Sequence, residues 1–459
     1  MAVFLLWFMR GYNKNTKKNI GKIMSSGMDV DANEAKLKRD IGLFAVGLLV
    51  LNGVIGAGIF GLPGKLVEQA GIWGPWLIII FGVLISSVVW TFASIASYFN
   101  TTGGPVAYAN RAFGPLVGFQ TGWLLYIGRV TAIGANTNVL VTYALDLAKV
   151  ADSEMLRGFL LLMIIGGLVA INIMGVKKTV KAINVITLIK ILPVLLLIVL
   201  AIPHITPDKA FPNGVPEFDQ VSGLVLIILY AFVGFEGALV TAGETKDPKK
   251  TIPRALFTGI FIITAIYFLI SWTYVNAVED LGGDTPLIDM GEVLIGPIGV
   301  VMIVIAAIFS ILGNATAIVV AAPRMTFAMA EEGSLPAWFG KVHDKYSTPA
   351  NSIMFLGVLA FFLAISGTFV YLAAASTLAR MIAYIICMVS LPVIRKKADH
   401  ETLDNAMLLP FGYLIPIIAI IVCTFAIVQA DIINWAYIIG FIVLGSGLYF
   451  ANSIFAKKG

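Results

Sequence analysis

Four ionisable side chains, Arg129, Lys190, Glu236 and Arg380, stand inside stretches otherwise built mostly of Leu, Ile, Val, Ala and Gly. If those stretches cross a bilayer, each charge costs at least about 2.5–3.5 kcal/mol at its centre, so each needs a partner or a task. Two glycine-dense segments accompany them. One reads Asn52-Gly53-Val54-Ile55-Gly56-Ala57-Gly58-Ile59-Phe60-Gly61-Leu62-Pro63-Gly64, the other Tyr230-Ala231-Phe232-Val233-Gly234-Phe235-Glu236-Gly237. Each glycine inside a helix costs about 1 kcal/mol relative to alanine. An opened helix offers unpaired N–H groups and a positive dipole end on one side of the break, and free carbonyls on the other. Amides suit an anion and carbonyls suit an ammonium, so two such breaks together suit a zwitterion. Close packing of helices through small residues is the competing reading of the same glycines.

The elements that position these groups follow from composition. Of 459 residues, 59% are hydrophobic and 12% charged, against about 25% charged in soluble domains. A spanning helix takes about 20 residues. Apolar runs fall at about 41–62, 77–99, 116–147, 158–174, 182–201, 223–242, 255–275, 295–322, 350–365, 369–394, 409–428 and 433–450. The expected fold class is therefore an all-α polytopic membrane protein with 12 transmembrane helices, since no open sheet edge is tolerated in lipid. The glycine-dense segments then occupy the first and sixth spans, and interrupted helices at corresponding places in two halves point to a transporter site.

The charges orient the chain. With both termini inside, 24 of the 31 Lys and Arg residues fall on inner segments, four on outer ones and three within spans. This is a strong positive-inside bias. The formal charge of +5 thus records topology and gives no nucleic-acid partner. An integral protein of the cell (inner or plasma) membrane with cytoplasmic N- and C-termini is expected. Residues 1–40 read as a cytoplasmic, Lys-rich tail close to anionic lipid; its first nine lack a basic n-region and a cleavage site, so they do not read as a signal peptide. Cys387 and Cys423 lie in apolar runs, and the three histidines are far apart. Neither a metal site nor a cofactor is expected.

Four segments carry a family resemblance. Gly56-Ala57-Gly58-Ile59-Phe60 is similar to the Gly-Ser/Thr-Gly-Ile-Phe signature of the amino acid–polyamine–organocation (APC) transporters. Gly103-Gly104-Pro105 with Tyr108 and Ala112-Phe113-Gly114 resembles their Gly-Gly-x-Tyr-x-Tyr…Ala-Phe-Gly segment, with Val106 where an aromatic is usual. Glu244 through Ala255 resembles the loop after their sixth span, and Arg324 through Pro336 the loop after their eighth. The resemblance runs from about Leu37 to Arg395. It implies two inverted five-helix repeats, at 41–204 and 221–394, followed by two peripheral helices at 409–451. It also implies a substrate between the first and sixth spans. By position, Gly56, Ala57, Gly58 and Ile59 would bind a carboxylate, and the carbonyls of Val54, Tyr230, Ala231 and Val233 an ammonium. Ala57 replaces the usual hydroxyl residue, and Tyr230 takes the place of the aromatic that closes over substrate.

The ionisable groups fit this frame in more than one way. Lys190 lies about eight residues, roughly 12 Å, into the fifth span. Its context resembles the sodium-independent branch of the family, where a lysine sits at the position of a bound cation. It can lock the broken first span through its carbonyls, release a proton in coupling, or serve as a structural peg. Glu236 can carry a proton or anchor the unwound segment. Arg129 can read an acidic substrate side chain in bidentate fashion or neutralise Glu236, and the second is favoured because a pair removes two desolvation costs together. Arg380 is expected to reach the inner vestibule. Asn136, Asn138, Ser310 and Asn314 read as polar glue between helices or as pathway lining.

The expected function is a secondary transporter for amino acids working by alternating access, as proton symporter or exchanger, with membrane lipid and possible proton coupling as its only other partners. The oligomeric state is not readable. A polyamine or other organocation carrier, or a non-translocating amino acid sensor on the same fold, stands as the alternative. Extra intramembrane carboxylates would favour organic cations, and only Glu236 lies well inside a run, Asp146 standing at the end of one. No Gly-x-x-x-x-Gly-Lys-Ser/Thr or His-Glu-x-x-His motif occurs, so neither nucleotide-driven transport nor an enzyme is expected.

Overall fold

A computed structural model describes residues 41–99, 104–175, 180–398, 400, 403 and 406–455. The tail at 1–40 lies outside the described residues, as do Gly103, Lys177, Lys178, Lys457 and Lys458. The described residues form fifteen helices of ten residues or more and no strand; a single isolated bridge joins Ile41 to Thr245. In chain order they are α1 Leu43–Val54, α2 Gly58–Ala70, α3 Trp73–Ala96, α4 Gly104–Phe113, α5 Pro115–Ala148, α6 Glu154–Ile173, α7 Val180–Ala201, α8 Phe218–Tyr230, α9 Pro248–Ala277, α10 Pro286–Ile295, α11 Pro297–Glu331, α12 Ala350–Ser366, α13 Phe369–Lys397, α14 Leu414–Val428 and α15 Ile432–Phe455.

Eight of these are long and apolar enough to cross a membrane, and α1 with α2 make a ninth when counted as one span bent by 50°. Shorter apolar helices are α8, α12 and α14. The chain is thus a helical, polytopic membrane protein. Start and stop signals explain the sharpest boundaries. Pro115 occupies the first turn of α5, where its missing N–H is harmless, and Gly114 caps it with φ 90°. The apolar run read at 295–322 extends to Glu331 in α11.

Helix α5 is the central post. It packs against α13, α11, α12, α4, α15 and α6, and of residues 121–141 only Arg129 is not buried. By contrast, α6 and α15 turn most of their surface outward. Isoleucine and leucine remain favourable there if lipid is the solvent. Two features tie the broken spans to their surroundings. At the end carrying the Lys- and Arg-rich loops, Ile41 N donates to Glu244 O at 3.1 Å and Lys246 N to Ile41 O at 2.9 Å, joining the start of α1 to the chain beyond Glu236. At the opposite end α10 packs against α2. There a Cβ on Gly64 would lie 2.4 Å from the Gly283 carbonyl oxygen, so only glycine allows the approach.

Candidate functional site

The first break covers Ile55 to Ala57. The second begins after Tyr230 and runs to Phe235, followed by the short helical turns Glu236–Leu239 and Ala242–Glu244. The run read at 223–242 is therefore helical in its first half and largely unwound in its second. The two breaks touch. A Cβ on Gly53 would sit 2.9 Å from Gly234 O, and one on Gly234, whose φ is +114°, would sit 2.3 Å from Gly53 O. Glycine at both positions lets the two backbones cross in contact.

The carbonyls freed at the first break are met by donors from two other helices, and a third helix supplies an acceptor for its amide. Lys190 Nζ, on α7, donates to Ile55 O at 2.6 Å and to Asn52 Oδ1 at 2.9 Å, with Asn52 O at 3.4 Å. On α11, Asn314 Nδ2 donates to Asn52 O at 2.8 Å and to Gly53 O at 3.2 Å, and the Ser310 hydroxyl to Gly56 O at 3.3 Å. Asn136, on α5, completes the ring. Its Oδ1 accepts from Ala57 N and from the Tyr230 hydroxyl, both at 3.1 Å, and its Nδ2 donates to Asn314 Oδ1 at 2.9 Å. Lys190, at 1% exposure, thus spends its charge on neutral oxygens. Asn138 stands apart and bonds Gly134 O, Ala364 O, Gly367 O and Arg157.

At the second break the anchor is an acid. Glu236 Oε2 accepts from Gly234 N at 2.9 Å and from the Tyr384 hydroxyl at 2.7 Å, while Oε1 pairs with Arg380 Nε at 3.1 Å. Arg380 also donates to Gly128 O at 2.9 Å and to Ser376 Oγ. The pair is buried, with side chains at 4% and 1% exposure. The expected partner for Glu236 was Arg129; the structure gives the direct ion pair to Arg380, and Arg129 acts on the carboxylate only through space. Arg380 lies on α13 with Tyr384 one turn along the same helix face, so a single helix delivers a cation and a hydroxyl to one carboxylate. Arg129 instead forms no hydrogen bond or ion pair with any described residue.

Between these anchors some groups stay open. The amides of Gly56 and Gly58, and the carbonyls of Val54, Tyr230, Ala231 and Val233, have no hydrogen-bond partner among the described residues, and the Ile59 amide has only the Tyr267 hydroxyl near it. The α2 N-terminus, a positive dipole end, lies beside the C-terminus of α8, a negative one; a Cβ on Gly58 would be 3.7 Å from the Tyr230 ring. The arrangement offers donors for an anion and acceptors for a cation within one small space.

The amino acid permease family matches residues 41–451. The chain belongs to this family. It is accordingly a membrane transporter, not an enzyme. The methylthioribose transporter of Bacillus subtilis (strain 168) is 26% identical over 449 residues, covering 93% of this chain and 96% of its own. The branched-chain amino acid permease BcaP of the same organism is 27% identical, over 95% and 97% of the two chains. The serine/threonine exchanger SteT, also from B. subtilis, is 28% identical over 84% and 89%.

The permease has one further group at this place that the sequence did not mark. Tyr267, on α9, is fully buried; its hydroxyl makes no well-formed hydrogen bond with a described residue, and the Ile59 N–H faces it. That hydroxyl would lie 3.2 Å from a Cβ on Gly58, beside the open amides of α2. In the sequence Tyr267 sits in an apolar run and reads as an ordinary core aromatic; a hydroxyl left over in a place where most polar groups are paired is visible only in three dimensions. Tyr143 donates to Phe60 O at 2.8 Å and Tyr274 to Gly282 O at 2.9 Å, and Phe369 stands edge-on to Tyr230 at 5.9 Å. These contacts lie toward the end that carries α10. Toward the basic end Gly53, Arg129, Gly234 and Gly237 keep partial exposure.

Proposed function

We propose that this permease moves amino acids across the membrane by alternating access, as an exchanger or proton symporter that needs no sodium. The observation that carries this reading is the pair of touching breaks, with open amides on one and open carbonyls on the other. An α-carboxylate takes the amides of Gly56, Gly58 and Ile59 together with the Tyr267 hydroxyl. The Ala57 amide stays with Asn136. The α-ammonium takes the carbonyls of Val54, Tyr230, Ala231 and Val233. Two relatives with names that specify amino acids, a branched-chain permease and a serine/threonine exchanger, support this substrate class.

The eight long helices, the bent pair and the three shorter apolar helices read together as twelve spans. On that reading residues 41–204 and 221–394 are inverted repeats, 409–451 add two peripheral helices, and the basic end with both termini is cytoplasmic. On the same reading Tyr230, held by Asn136 and Phe369, closes over the site from the outer side. Lys190 occupies, with a covalently attached ammonium, a nest of oxygens that would otherwise suit a metal cation, which is why no sodium is required. Glu236 with Arg380 and Tyr384 fixes the second break and makes it a hinge.

The test is uptake and counterflow in proteoliposomes with a panel of radiolabelled amino acids, at two pH values, with and without sodium. Saturable flux of at least one amino acid, unchanged by sodium, is expected. Absence of both flux and binding for every amino acid overturns the reading, and sodium dependence overturns the part given to Lys190.

A further inference from the structure

We infer that Arg129 holds a second carboxylate, so that the substrate is a dicarboxylic amino acid. The inference rests on the amino acid reading above and names the substrate class within it. Of the four charges Arg129, Lys190, Glu236 and Arg380, three are accounted for by direct contacts. Glu236 and Arg380 neutralise each other at 3.1 Å, and Lys190 is tied to Ile55 O and Asn52. Arg129 alone of the four has no hydrogen bond or ion pair with a described residue. The groups whose charge reaches it are Glu236, Arg380 and Tyr384, and the one carboxylate among them already has three donors.

Position argues against a purely structural guanidinium. Every other residue from 121 to 141 is buried, and α5 is walled by protein for most of its length. The surface that Arg129 exposes therefore lies inside the bundle. It shares that space with Gly237, where a Cβ would come within 4.0 Å of Nη2, and with the partly exposed Gly53 and Gly234 at the crossing of the breaks. Arg129 stands seven residues from Asn136 on α5, two turns or about 10.5 Å. Asn136 bonds Ala57 and Tyr230, so an extended arginine and the side chain of a diacid between them cover the interval to the open amides. A zwitterion brings no net charge and leaves Arg129 uncompensated. A dicarboxylic amino acid brings one negative charge, and a guanidinium can take its side-chain carboxylate through two parallel hydrogen bonds.

The experiment is counterflow competition in proteoliposomes, first on the unmodified protein. Glutamate or aspartate should compete about tenfold to a hundredfold better than glutamine, asparagine or alanine, the effect of one charge-assisted bond. Arg129→Gln should erase that preference, glutamate then competing no better than glutamine, and Arg129→Lys should restore part of it. Glutamine competing as well as glutamate overturns the inference and leaves amino acid transport intact. No competition by any amino acid overturns both. Because Arg129→Gln could fold poorly, thermal melting of purified wild-type protein supplies a check free of variants: glutamate should raise the melting temperature more than glutamine at equal concentration, and equal shifts count against the inference.

Discussion

The two helix breaks are held in opposite ways. At the first, loose carbonyls of Asn52, Gly53, Ile55 and Gly56 are met by donors: the ammonium of Lys190, the amide of Asn314 and the hydroxyl of Ser310. At the second, the loose amide of Gly234 is met by an acceptor, the carboxylate of Glu236, which is itself held from α13. Each anchor has the polarity that the unwound backbone lacks. The consequences differ as well. The first break is bonded to α5, α7 and α11 at once, whereas the second is bonded chiefly through one side chain and keeps more open carbonyls. The first break is therefore the fixed half of the site, and the second the half that can rearrange.

The largest expected effect breaks the comparison at its acidic anchor. Glu236→Ala leaves Arg380 buried without its counter-charge, a change worth about 3–5 kcal/mol. Loss of transport and a large fall in melting temperature of the purified protein are expected. Changing Arg380 to Met as well should recover part of the stability, because the uncompensated charge is then gone. A double variant no more stable than Glu236→Ala would mean that the ion pair is not what fixes the second break.

Lys190→Met comes next. It removes the donor from Ile55 O and Asn52 Oδ1 without leaving a charge behind. Each orphaned buried acceptor costs about 1–3 kcal/mol, but Asn314 and Ser310 still hold the neighbouring carbonyls. Melting should fall less than for Glu236→Ala, while counterflow is lost, since the geometry of the adjacent amides depends on Ile55. If Lys190→Met destabilises more than Glu236→Ala, the ranking of the two anchors is reversed.

Much of this was legible before any coordinates. The apolar run at 116–147 became Pro115–Ala148 because a continuous hydrophobic stretch starts behind Gly114-Pro115 and has nothing inside to stop it. Both breaks announced themselves through glycine, whose cost in a helix is local. The partner of Glu236 was not legible. Arg129 and Arg380 are both apolar-embedded cations, and choosing between them requires knowing which face of α5 and α13 points inward; residues 144 apart in sequence carry no such information. Helices α4 and α10 were also missed. Each has ten residues, too short for a span, and α10 has Pro286 in its first turn and Gly296 at its end, signals that hydropathy alone ignores.

The crossing of the breaks offers a subtler test. Gly234→Ala demands a side chain at φ +114° and within 2.3 Å of Gly53 O, whereas Gly53→Ala meets Gly234 O at 2.9 Å from an α-helical position. Backbone strain of this kind costs about 1–3 kcal/mol. Both variants should lower transport by parting the breaks, and Gly234→Ala should be the less stable of the two in a thermal melt. Equal behaviour would mean that the close approach matters and the left-handed conformation does not.

The smallest effect should come from Tyr267→Phe, and it separates binding from stability. The Tyr267 hydroxyl is buried without a well-formed hydrogen bond to a described residue, so deleting it removes an unpaid desolvation and leaves no acceptor stranded; the melting temperature should hold or rise slightly. If the hydroxyl waits for the substrate carboxylate beside the Gly58 and Ile59 amides, the half-saturating concentration in counterflow should rise about threefold to tenfold, the range of a single hydrogen bond of about 0.5–1.5 kcal/mol. A matching change at Tyr230, which already donates to Asn136 at 3.1 Å, should lower stability instead. Tyr267→Phe with unchanged affinity would confine carboxylate binding to the amides of the first break, and would make its fixed geometry the whole basis of recognition on that side.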